Sequence, residues 1–86
     1  MGNTYKKRIS DEKLNQFAKQ EFGTLPTTGP TPAEVFYEDE KISVEQRMVN
    51  ISEKCYGQRL SLEDAGYMLH RFEFFHEKGR LPKANE

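Results

Sequence analysis

The chain has one cysteine, no apolar run near membrane-spanning length and no glycine-rich phosphate loop, and each lack removes a class of function. A lone Cys55 can form neither an intramolecular disulfide nor a thiolate metal site by itself, which points to a reducing, cytoplasmic setting. Crossing a bilayer takes about 20 consecutive apolar residues, so no membrane role is expected. The opening MGNTYKKRIS has charge but no apolar segment behind it, so it does not read as a signal peptide. Lys6 stands where the myristoylation pattern requires Ser or Thr. Excess charge of one sign is lacking too. Thirteen Lys and Arg against fourteen Asp and Glu leave a net charge of -1, which argues against a broad electrostatic footprint for nucleic acid or anionic lipid.

Apolar residues are also scarce, at 35% of a chain in which 31% is charged and the mean hydropathy is -0.89. Six Phe and four Tyr compensate, because each aromatic side chain buries roughly 150–250 Å². At 86 residues the chain is one domain with a small, aromatic core. Its charge is unevenly spread: residues 34–53 hold two basic and six acidic side chains, whereas the N-terminus carries Lys6, Lys7 and Arg8 in a row. Residues 1–9 read as a flexible basic tail, 10–80 as the helical domain and 81–86 as a second tail.

Start and stop signals divide the domain. Ser10 caps a helix over 11–22, with Asp11 and Glu12 in its first turn and Gly23 at its end; Leu14, Phe17, Ala18 and Phe22 share a face. The stretch from Gly23 to Pro32 holds three of the four prolines and is a connecting loop. Thr31, Pro32 and Glu34 form a capping box with proline at the first helical position, predicting a short helix over 32–37 that the acids Glu38, Asp39 and Glu40 bring to an end. Ser43 and Gln46 make a second capping-box pattern for a helix over 44–56, on which Val44, Met48, Ile51 and Cys55 form a stripe.

The last helix, 62–78, is capped by Ser61 and stopped by Gly79. Leu62, Ala65, Met68, Leu69, Phe72 and Phe75 form its core face. The short link Gly57–Leu60 makes the last two helices antiparallel neighbours. The fold expected is all-α, a small three- to four-helix bundle with an antiparallel helical hairpin in the C-terminal half.

Chemistry is harder to find. Cys55 lies in an apolar stripe, the place of a small buried thiol and not of a nucleophile. His70 and His76 are six apart and do not share a helix face, unlike metal-binding histidines at i and i+4. Glu38–Glu40 lack the spaced ligands and the glycine of a calcium loop. No catalytic residue, metal or cofactor is expected, and the chain does not read as an enzyme.

Leu60–Ala65 followed by Lys78–Pro82 resembles the start and end of an excisionase-type winged helix-turn-helix segment, over less than a third of the chain. That family places a glycine-containing turn and a second helix between them; His70–Lys78 holds neither, so no residue role is carried over. A plain helix-turn-helix would present Glu63 and Asp64 to phosphates, which repel them. Nucleic-acid binding remains the alternative through convergence of Lys6, Lys7, Arg8, Arg59, Lys78 and Arg80.

The leading expectation is a small protein-binding regulator, inhibitor or adaptor whose partner is another protein or its own copy. Tyr67 and Phe74 stand seven residues apart opposite the core face of the last helix, with His70 and Arg71 between them. Val49 and Tyr56 lie off the stripe of the preceding helix, and all six are assigned to the contact surface. Two coverings of Tyr67 and Phe74 are open: a partner, or the first helix or Pro-rich loop of the same chain.

Overall fold

The computed structural model describes residues 9–85, which form four helices: α1 Asp11–Phe22, α2 Pro32–Phe36, α3 Val44–Tyr56 and α4 Leu62–Lys78. Their beginnings follow from side-chain capping. Ser10, Ser43 and Ser61 each accept a hydrogen bond from the backbone N–H three residues on, at 3.1 Å in each case. At α2 the box is reciprocal: Thr31 Oγ1 accepts from the Glu34 N–H at 3.2 Å, and Glu34 Oε1 accepts from the Thr31 N–H at 2.8 Å. At α3 it is not, since the Gln46 side-chain amide donates forward to Asn50 Oδ1 at 3.1 Å. The turn after α3 depends on Gly57 at φ +65°, a left-handed conformation costly to other L-residues. Around it Ser52 Oγ donates to the Gln58 carbonyl at 2.8 Å, while the Gln58 N–H donates to the Ser52 carbonyl at 3.0 Å.

α3 and α4 form an antiparallel hairpin, α2 packs on α3, and α1 closes the bundle against α2 and α4. The core is aromatic. Phe17 of α1 meets Phe72 and Phe75 of α4 edge-on, with ring centroids 4.9 and 5.8 Å apart, and Phe36 of α2 lies 5.8 Å from Phe72. All four rings are buried, each contributing about 1.5–3 kcal/mol by burial.

Two details differ from the sequence reading, and a third is one the letters do not signal. Ile9, assigned to the tail, is buried, and its backbone pairs twice with Tyr37: the Ile9 N–H donates to the phenol oxygen at 2.7 Å, and the phenol O–H donates to the Ile9 carbonyl at 3.1 Å. Leu62, assigned to the core face, is 62% exposed. At about 100° per residue it lies roughly 60° round from Ala65, at the margin of the buried arc. Third, Arg47 is fully buried although it is charged. Its guanidinium lies 5.0 Å from the Phe36 ring centroid, and Nη2 donates to the Glu40 carbonyl at 2.9 Å. Nε and Nη1 meet no acceptor among the described residues.

Candidate functional site

The outer face of α4 is set by helical geometry: Glu63, Tyr67, His70, Phe74 and Glu77 succeed one another at three- and four-residue steps, opposite the buried Ala65, Met68, Phe72 and Phe75. Tyr67 is 72% exposed, the most exposed large hydrophobic side chain described, and His70 is exposed beside it. Phe74 is half-buried; the Arg80 guanidinium lies over its ring, 5.2 Å from the centroid. Between His70, Glu73, Phe74 and Glu77 runs an open groove of about 250 Å³.

The six side chains assigned to a contact surface do not form one patch. Val49 is 8% exposed and belongs to the core, because α3 is enclosed by both α2 and α4 and buries more than the Val44–Met48–Ile51 stripe. Tyr56 stacks on Phe22, with centroids 4.1 Å apart and planes 13° from parallel, and its hydroxyl donates to the Thr24 carbonyl at 2.8 Å. Its work is internal: it pins the Pro-rich loop and the end of α1 to α3. Arg71 is held to Glu21 of α1, Nε to Oε1, at 2.8 Å with both side chains largely shielded, so α1 borders the outer face without covering it. The Pro-rich loop lies elsewhere, with its Thr24 and Pro30 carbonyls bonded to Tyr56 and Cys55 of α3. Tyr67, His70 and Phe74 remain together; Glu73 and Glu77, which with Glu63 complete the face, were not singled out, although the same helical spacing places them there.

The basic residues considered for nucleic acid are split. Arg59 precedes α4, whereas Lys78 and Arg80 lie at its far end, roughly 25 Å away at 1.5 Å per residue. Lys6, Lys7 and Arg8 lie outside the described residues.

Two other concavities are less suited to chemistry. One, of about 400 Å³, is lined by Thr24, Leu25, Thr27, Thr28, Cys55 and Tyr56. Burial, followed by the neighbouring Glu34 carboxylate, pushes the Cys55 thiol above its ordinary range against the opposing pull of Lys54, and its Sγ donates to the Pro30 carbonyl at 3.4 Å. A thiol so held is a poor nucleophile. Burial, with Cys55 beside it, likewise raises the Tyr56 phenol. The second, of about 420 Å³, is lined by Glu38, Asp39, Ile42, Gln46, Asn50 and Lys54, with Glu38 and Lys54 paired across it at 2.8 Å. No group of three or more His, Cys, Asp or Glu side chains among the described residues is placed to hold a metal ion, and no helix among them is long and apolar enough to cross a membrane.

No protein-family model matches the chain, and neither a curated protein nor a solved structure matches it significantly.

Proposed function

We propose that the chain is a small protein-binding regulator or adaptor that engages its partner through the outer face of α4. One observation carries the reading: Tyr67 stands 72% exposed on the same stripe as His70 and Phe74, on a helix whose opposite side already fills the core. Aromatic side chains are enriched where protein interfaces have their anchors, because a rigid ring contributes a large contact area for little rotamer entropy. The fold has no need of Tyr67: among the described residues, neither α1 nor the Pro-rich loop is seated on it.

Photo-crosslinking in the native host tests this. With a benzophenone amino acid at position 67, a covalent adduct of defined mass is expected. The same group at position 53, exposed on α3, should give none. Adducts at neither position, or equally at both, would remove α4 as the contact surface.

A further inference from the structure

We infer that the outer face of α4 receives a basic, elongated segment of another protein, with a Lys or Arg side chain entering the groove between Glu73 and Glu77; this rests on the reading of that face as a protein-binding surface.

Charge is the first argument. The face carries three carboxylates, Glu63, Glu73 and Glu77, around Tyr67 and Phe74. Neither Glu63 nor Glu73 has a cationic partner among the described residues, and Glu77 meets only its sequence neighbour Lys78, at 3.8 Å with both side chains mostly exposed. Such a contact is worth little, so all three remain available to a partner's cations. Arg71, on the margin, is committed to Glu21, and Arg80 lies over the Phe74 ring.

The groove supplies the second argument. Its four lining residues, His70, Glu73, Phe74 and Glu77, set two carboxylates beside an aromatic ring, the pairing that suits an ammonium or guanidinium group through ion pairing and cation–π attraction together. The groove is open to solvent along its length, so such a head group can reach both carboxylates and the ring. Phe74 already attracts a guanidinium, that of Arg80, 5.2 Å from its centroid. The exposed Tyr67 ring, one to two turns away, offers a second surface for a cation or an apolar side chain.

The other occupants fit poorly. In a two-fold contact between copies the same patch meets itself, which would set the three carboxylates against another three. Nucleic acid and anionic lipid would meet the same repulsion. From Glu63 to Glu77 the stripe runs roughly 21 Å, a length suited to a helical or extended segment laid along it.

A displayed library of amphipathic peptides, with apolar positions fixed and the flanking positions free to be Lys, Arg, Glu, Asp, Gln or Ser, is selected on the full-length chain and on its Tyr67→Ala and Glu73→Lys/Glu77→Lys variants. Selected peptides should be enriched in Lys and Arg, lose about ten-fold or more in affinity to either variant, and show no such enrichment when selected on the charge-reversed chain. Peptides that depend on Tyr67 without cationic bias would overturn the basic partner and leave the docking surface standing. Binding indifferent to both variants, or no binders at all, would overturn both readings. A chain that sediments as a dimer through this face would replace the basic segment with a second copy.

Discussion

Arg47 shows how much a single residue can conceal. On the helical wheel it flanks the Val44–Ile51 stripe, with nothing in the letters to mark it as interior; in the fold it is wholly buried, with the Phe36 ring on one side, the Glu40 carbonyl on Nη2, and two nitrogens without an acceptor among the described residues. Burying a guanidinium with incomplete hydrogen bonding is costly, and replacing such a group with an apolar side chain of similar length is often neutral or stabilising. Arg47→Met is therefore expected to unfold in urea with a free energy equal to or above that of the parent, and Arg47→Ala to lose about 2–4 kcal/mol by leaving a cavity. A loss of more than 2 kcal/mol in Arg47→Met would mean that the Phe36 contact and the Glu40 bond outweigh the desolvation. The sequence could not have revealed this burial, because it depends on α2 and the 38–41 turn folding back over α3. The same enclosure explains Val49, which sits off the stripe of its own helix and is nevertheless core.

At the scale of elements the sequence is far more transparent. Ser10, Ser43 and Ser61 mark three helix starts, Thr31 with Pro32 and Glu34 a fourth, and Gly23, Gly57 and Gly79 three ends, all through local chemistry that needs no tertiary context. Where the reading slipped, the missing information was tertiary. Leu62 belongs to the apolar pattern but lies at its margin, and Ile9 has no periodic signal yet is fixed by Tyr37, 28 residues away. The α3–α4 corner tests the local logic. No atom crowds a Cβ added at Gly57, so the left-handed φ of +65° is the only obstacle. Gly57→Ala should cost about 1 kcal/mol in thermal or urea unfolding without altering helix content. A neutral substitution would show that the corner relaxes freely, and a loss well above 2 kcal/mol would mean that the hairpin register depends on it.

The whole molecule separates cleanly into a face that folds and a face that is left over. Phe17, Phe36, Phe72 and Phe75 fill the interior, and α1 closes it at the Glu21–Arg71 pair. Beyond that pair the outer side of α4 shows the Tyr67 ring, an imidazole and three carboxylates to solvent, with Phe74 half-buried beneath Arg80. The two-sided character of α4 was legible from the spacing of Tyr67 and Phe74. The acidic composition of its outer side was equally present in the letters, but only a fixed core direction shows which carboxylates share it. The deciding measurement pairs complex formation with thermal unfolding for the Tyr67→Ala/Phe74→Ala chain. Expected is loss of the partner in a pull-down from the native host, with a cooperative transition kept within about 8 °C of the parent, the shift that roughly 1 kcal/mol causes in a domain of this size. A chain that no longer folds would return both rings to the core, and a stable chain that still holds its partner would place the contact elsewhere.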